Sequence, residues 1–455
     1  MRKFDLGFGA REAAWLVLLA GYAAVLWQNY PGHMSVDSVI ELHEGRFHMR
    51  ENWGPAIFPW ILGVFDRVWR GTGLYLAAST LLLFGGWASM PQLRGRGSWW
   101  LVPVLAGAIA LPDIMLYQGI VWHDILYANA SVAGFLCLAF AGRDWNRARR
   151  PWLRLAAAVV LLSVAGLVRQ NGIVVVPVAA LTVGWIAWGD GWRRAFLWGL
   201  GWLLAAMATT AVLSVTALPQ GPGFEKANAQ GFRALATYDL MGALARDPNI
   251  PLTRIEQEAP AVAAVLRAES PNFYSPQRID FLQDSPALIR YTIRISTTAL
   301  VADWKHLILT RPGLYLSIRA QVFRWVFATP VIDVCLPAYL GVDGSPKLMK
   351  ELGLKRVWGD REQRLYNYVT WFYDTPAVSH VFYAAISLAV IAFLLLRRDP
   401  ADKAVIGLQL AGLAFAGTFL LVSLACDYRY LYFVDIAALS GLAYVAADPR
   451  LRRTA

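Results

Sequence analysis

The sequence predicts an all-α polytopic membrane protein with about ten transmembrane helices and a mainly helical extracytoplasmic domain. Three observations predict it. Of 455 residues, 57% are hydrophobic and only 16% are charged, whereas soluble domains run nearer a quarter charged. Apolar runs of spanning length recur along the chain, and a spanning helix needs about 20 such residues. The net charge of +11 gathers in short basic segments between those runs, as the positive-inside rule requires. It forms no continuous basic face, which argues against a nucleic-acid partner.

Span 1 is expected at 13–30, behind Arg2, Lys3 and Arg11, which puts the N-terminus inside. Basic residues before an apolar run also mark signal peptides, but no A-x-A-type cleavage site ends this one, so it reads as a retained span. The next stretch, Pro31-Gly32-His33-Met34-Ser35-Val36-Asp37-Ser38 and on to Pro59, then lies outside. It holds Asp37, Glu41, Glu44 and Glu51 with His33, His43 and His48. The apolar segment 55–69 is short and ends in Asp66, Arg67 and Arg70. It suits a helix lying at the outer interface.

Spans 2 to 7 follow at 73–90, 99–111, 125–141, 155–168, 173–188 and 195–218. Arg94 and Arg96, the cluster Arg143 to Arg154, and Arg193-Arg194 fall on the inner side. Outer turns are expected at 112–124 and at Arg169-Gln170-Asn171-Gly172. From 219 to 375 the chain turns polar and Pro- and Gly-rich, and is assigned to an outer helical domain resting on the membrane. Its most apolar part, 313–339, is interrupted by Arg319, Gln321, Arg324 and Asp333. Spans 8 to 10 are expected at 376–396, 404–425 and 430–447, with an inner basic tail. The domains are therefore 1–218, 219–375 and 376–455, with both termini inside. Cys137, Cys335 and Cys426 show no CxxC spacing, so neither a disulfide framework nor a zinc site is expected.

Ionisable groups at the mouth of a membrane bundle are functional-site candidates by default. Asp37, at the outer end of span 1, reads either as a base or cation ligand or as the N-cap of a helix starting near Ser38. Asp124, in Trp122-His123-Asp124, heads span 4 on the same face, with the same two readings. Two acids converging there would divide the roles of base and substrate orienter, their repulsion relieved by a cation or a bound group. Arg429, in Asp427-Tyr428-Arg429-Tyr430, offers a planar fork for phosphate or an ion pair with Asp427 or Asp435. Arg169 and Asn171 form a second phosphate or substrate candidate, or simply a turn. His33, His123 and Trp53 complete the expected substrate-binding set. Other Trp and Tyr residues fall where an aromatic belt is expected anyway.

Taken in order, these features resemble the GT-C superfamily of polytopic glycosyltransferases, which use polyprenyl-phosphate sugars. They are an outward loop with Asp37, a Pro-containing interfacial segment, Asp124 at the head of span 4 and a late Arg429-Tyr430 pair. The likeness covers 1–218 best and the Asp427–Tyr430 motif more loosely. In protein O-mannosyltransferases and aminoarabinose transferases a first-loop acid is essential, and Asp37 matches its place. Where those relatives often carry His-Pro-Pro, this chain has Asn52-Trp53-Gly54-Pro55.

The resemblance implies sugar transfer from a polyprenyl-phosphate donor to a glycan, lipid or protein acceptor. Asp37 and Asp124 would be catalytic, Arg429 and Arg169 would hold phosphate, and a divalent cation (Mg or Mn) on the two acids is the one cofactor to consider. The expected setting is a bacterial inner membrane, with the site facing the periplasm among membrane lipids. Against this stand a lipid-sugar flippase or transporter, an O-antigen-ligase-type enzyme and a non-catalytic envelope subunit. A flippase more often carries charges at mid-span, whereas here they gather at outer ends.

Overall fold

The structure is a computed structural model describing residues 8–50, 54–95, 97–146, 151–217, 222–292 and 294–451. Its helices, in chain order, begin with α1 (Ala10–Asn29), α2 (Val36–Phe47), α3 (Ile57–Val68), α4 (Gly73–Arg94) and α5 (Leu101–Ile109). Next come α6 (Pro112–Met115), α7 (His123–Arg143), α8 (Trp152–Val168), α9 (Val175–Ile186) and α10 (Trp192–Thr216). Then follow α11 (Pro222–Leu244), α12 (Thr253–Glu258), α13 (Pro260–Phe273), α14 (Pro286–Thr292), α15 (Thr297–Thr310) and α16 (Pro312–Ala328). The last are α17 (Pro346–Leu352), α18 (Asp360–Thr370), α19 (His380–Arg397), α20 (Asp402–Val422) and α21 (Tyr432–Ala447). Among the described residues the only β-type pairing is four isolated bridges.

The protein is an all-α polytopic membrane protein. Among the described residues eight helical stretches are long and apolar enough to cross: α1, α4, α7, Gly172–Asp190 around α9, α10, α19, α20 and Tyr428–Ala447 around α21. The expected span at 99–111 is instead a broken pair, Leu101–Ile109 and Pro112–Gly119, bent by 65°. Pro112 has no N–H to give the preceding turn and starts a new short helix at its first position. The expected span at 155–168 is the 17-residue α8, at the short end of the spanning range. The stretch 313–339 yields α16, whose inward face carries the fully buried Arg319.

The chain divides into two compact units. The first comprises 1–219, 338–415 and 431–455; the second comprises 220–337 and 416–430. Residues 338–375, read from the sequence with the outer domain, thus pack with the first unit.

In the first unit α7 and α21 are buried on nearly every face. Helices α4, α7 and α21 run parallel. At their starts Thr80 Oγ1 donates to the Gln118 carbonyl and Asn129 Nδ2 to the Ser79 carbonyl. Further along, Trp87 Nε1 donates to Ser440 Oγ. At their ends Arg143 reaches the Gln92 carbonyl and Arg94 reaches Asp448. Helices α2 and α3 cross at glycines: a Cβ on Gly45 would run into the Pro59 carbonyl, and one on Gly63 into that of Gly45.

The second unit has its own apolar core, including Tyr238, Leu240, Met241, Leu252, Leu266, Leu300 and Ile318. The buried Arg319 pairs with Asp239 at 2.9 Å, while Trp304 Nε1 donates to the other Asp239 oxygen. The remaining Arg319 donors cap the end of α20 through the Leu420 and Ser423 carbonyls, at 3.0 and 2.8 Å. Cys335 and Cys426 form a disulfide, although their spacing gave no reason to expect a disulfide framework. The two are 91 residues apart, and only the fold brings them together.

Candidate functional site

Two helices of the first unit begin side by side. The Ser35 hydroxyl accepts from the Ser38 N–H, and the Ser38 hydroxyl accepts from the Ser35 N–H. This reciprocal capping box starts α2 at Val36. Asp37 is therefore the second residue of the helix and is relieved of the capping role that its sequence position allowed. Helix α7 starts at His123 after Trp122, which makes no side-chain cap. Asp124 is again the second helical residue, so the capping alternative does not apply to it either.

The two starts are stitched together. His33 N–H donates to the Gly119 carbonyl and Val121 N–H to that of His33, each at 2.9 Å. Ser38 Oγ donates to the Val121 carbonyl at 2.6 Å, and Trp122 Nε1 to Ser35 Oγ at 2.9 Å. The starts of the helices carrying Asp37 and Asp124 thus lie side by side. Both helix N-termini carry partial positive charge.

From Asp124 a chain of ionic contacts spreads over neighbouring elements. Arg169, at the end of α8, forms an ion pair with Asp124. Its Nε donates to Asn171 Oδ1 at 3.1 Å, and its guanidinium lies 5.5 Å from the Phe415 ring centroid. On the other side His123 lies 3.5 Å from Asp124 and 3.1 Å from Glu41. Glu41, Asp124 and Arg169 are buried, while Asp37, His123 and Asn171 are half-buried. Glu41, His123, Asp124 and Arg169 thus form one connected group.

Glu41 was legible in the sequence only as part of the acidic loop. It lies one turn beyond Asp37 on α2, at the i+4 spacing that puts both on one helix face. That spacing was the missed signal.

His33 plays a different part. Its Nε2 faces Asn29 Oδ1 at 3.0 Å, and its Nδ1 accepts from the Gly341 N–H at 3.0 Å. An accepting Nδ1 places the proton on Nε2, and burial holds the group down at about 4. Both ring nitrogens are thereby committed to joining the first loop to the segment after Pro337. Met34 N–H donates to the Gly341 carbonyl and Asp343 N–H to that of Met34. Tyr339 from the same segment lies 5.8 Å from Trp122.

Arg429 and Tyr430 belong to the second unit, in the turn Tyr428–Leu431. Arg429 Nε sits 2.9 Å from Asp427 Oδ2, so the ion pair weighed as its alternative is present. Asp435 is engaged elsewhere, by His380. Tyr430 stacks on Phe419, with ring centroids 5.6 Å apart. Trp53 lies outside the described residues. Among the described residues no group of three or more His, Cys, Asp and Glu is arranged to hold a metal ion. No cation ligand set is therefore assigned to Asp37 and Asp124.

No family model matches this sequence, and no curated protein matches it. Among solved structures the chain is similar to the oligosaccharyltransferase AglB from Archaeoglobus fulgidus, solved with an inhibitory peptide and a dolichol-phosphate. The identity is 12% and the TM-score 0.37, over 94% of this chain and 50% of that one. The chain thus spans about half the length of that protein. A likeness at this level fixes neither a family nor a function.

Proposed function

We propose that this protein is a GT-C-type glycosyltransferase that moves a sugar from a polyprenyl-phosphate donor to a glycan, lipid or protein acceptor on the outer face of the membrane. The observation that carries this reading is the convergence of two helix N-termini, each with an acid at its second position, beside a buried Arg. Helix N-termini and guanidinium groups favour bound phosphate. Asp37 is half-buried and does not cap its helix, which suits a carboxylate for base chemistry. The proposed organisation keeps 1–218 as the membrane core carrying the site and the stretch from 219 as mainly outward. The disulfide between Cys335 and Cys426 supports an oxidising, outward setting for the turn it ties. A bacterial inner membrane, with the site on the periplasmic side, completes this proposal.

In this mechanism Asp37 takes the proton from the acceptor hydroxyl as its oxygen bonds to the anomeric carbon. The bond from that carbon to the donor phosphate breaks, and its electron pair leaves with the polyprenyl phosphate. Asp124, oriented by Arg169 and His123, would position the acceptor or sugar. Arg169 would bind the growing phosphate charge. No step is routed through a metal.

The test is direct. Purified protein is incubated with polyprenyl-phosphate sugars and a panel of acceptors, and products are read by mass spectrometry. Transfer by the wild type that collapses in Asp124→Asn supports the proposal. A folded wild type that transfers no sugar from any such donor, or an unimpaired Asp124→Asn, contradicts it.

A further inference from the structure

A second buried polar cluster of the first unit sits at the break of the bent pair α5–α6. Asp113 is 1% exposed and follows the helix-breaking Pro112. His380 and Tyr383 lie three residues apart on α19, and Tyr432 and Asp435 three apart on α21. Each pair therefore shares a helix face. The two faces are joined by His380 Nδ1, 2.9 and 3.0 Å from the two Asp435 oxygens. They also meet at Asp113. Tyr432 donates to its backbone carbonyl at 2.8 Å, and the Tyr383 hydroxyl lies 3.0 Å from its Oδ2. Electrostatically Asp113 also feels Asp435 and His380, and it acts in turn on Tyr368 of α18.

Two oxygens compete for the one hydrogen of Tyr383. The Tyr383 hydroxyl lies 2.9 Å from the Ala377 carbonyl as well as 3.0 Å from Asp113 Oδ2. A phenol has one hydrogen, and a carbonyl can only accept. If Tyr383 satisfies Ala377, the hydrogen between Tyr383 and Asp113 must come from Asp113. The opposite assignment leaves the Ala377 contact without a hydrogen and sets a second buried carboxylate beside Asp435, which like-charge repulsion and desolvation oppose. Asp113 Oδ1 makes no hydrogen bond among the described residues. That is tolerable for a neutral C=O and far less so for a carboxylate oxygen.

We propose that Asp113 is held as an un-ionised carboxylic acid donating to the Tyr383 hydroxyl, and that this bond positions the segment leading into the candidate site. The link to the site is short. Tyr432, bonded to Asp113, accepts from Gln118 Nε2 at 2.7 Å, and its ring stacks on Tyr117 at 5.2 Å. Tyr117 in turn packs against Trp122, at 6.0 Å, whose indole holds the Ser35 cap of α2. Asp113 is thus a positioning residue. Its claimed effect on transfer rests on the glycosyltransferase reading, whereas its protonation state does not.

Infrared difference spectroscopy of the purified protein at neutral pH tests it. The carbonyl stretch of a protonated carboxyl group should be present in the wild type and lost in a folded Asp113→Asn variant. The amide keeps a donor toward Tyr383, so D113N should transfer sugar at nearly the wild-type rate. Asp113→Ala should lose about a hundredfold through misplacement of the site. The alkaline limb of the wild-type pH–rate profile should move outward in D113N. Should D113N not fold, Tyr383→Phe serves instead, because removing the acceptor must shift the protonated band. A spectrum unchanged in D113N, or a band that does not shift in Tyr383→Phe, overturns the proposal whether or not the protein transfers sugar.

Discussion

Two ionic clusters occupy opposite ends of the parallel helices α4, α7 and α21, and they are built differently. At the far end Arg94 lies within 3.1 Å of Asp399 and 2.9 Å of Asp448, and 3.6 Å from Asp402. Arg397 bonds Asp402 with two nitrogens, Tyr444 donates to the same acid, and Arg450 meets Asp448. Three acids thus face three Arg side chains. At the near end Asp124 pairs with Arg169, and His123 lies between Asp124 and Glu41, one turn along α2 from Asp37. Both clusters are largely buried, so ion-pair density does not separate them. Position and access do. The far cluster joins helix ends, whereas the near one sits beside two helix N-termini and keeps Asp37 half-buried.

This contrast can be broken most forcefully at Arg94. Arg94→Ala removes the buried cation that three acids share and should destabilise the protein by about 3–5 kcal/mol, while the molecules that stay folded transfer sugar normally. Denaturation in detergent, together with activity per folded molecule, reads both. An Arg94→Ala protein that is stable but inactive would make the far cluster functional after all.

Arg429 offers a somewhat smaller effect. Arg429→Lys keeps the charge but loses the fork, so donor affinity or turnover should fall by about tenfold to a thousandfold. Unchanged kinetics would reduce Arg429 to its ion pair with Asp427.

His33 sharpens the comparison through pH. Its folded value of about 4 lies below the ordinary 6.5, so the unfolded chain takes up the extra proton first. Stability should therefore fall as pH drops from 6.5 toward 4 and level off below, by about 3 kcal/mol in all from this group. His33→Gln should flatten that acid slope in melting curves. An unchanged slope would place the acid sensitivity elsewhere.

The smallest expected effect is at the cap. Ser35→Ala should cost about 1 kcal/mol and loosen the Trp122 indole, with at most a modest loss of rate. A rate loss as large as that expected at Asp124 would make Ser35 part of the chemistry.

Much of this architecture was legible because hydropathy and basic loops report spans directly. Pro112 was visible as well, yet it read as the end of a span rather than the hinge of a bent pair, because neither half is long enough alone to declare itself. The expectation that Asp37 and Asp124 share a face came from counting crossings. What held them there did not: Ser35 with Ser38 looks like any serine pair until Val121 and Trp122 arrive from elsewhere in the chain. The pairing of Cys335 with Cys426 left no local spacing to read. Glu41 was hidden for another reason. Its i+4 relation to Asp37 becomes informative only once the acidic loop is known to be helical.

The central claim is that Asp37 is the carboxylate that activates the acceptor. Single-turnover transfer by Asp37→Asn, on protein matched to the wild type in melting and donor binding, tests it most directly. With Ser35 as the cap, the substitution should leave stability within about 1 kcal/mol and lower the rate by about 10²–10⁴. Transfer at the wild-type rate would contradict the mechanism, even if the protein proves to be a glycosyltransferase.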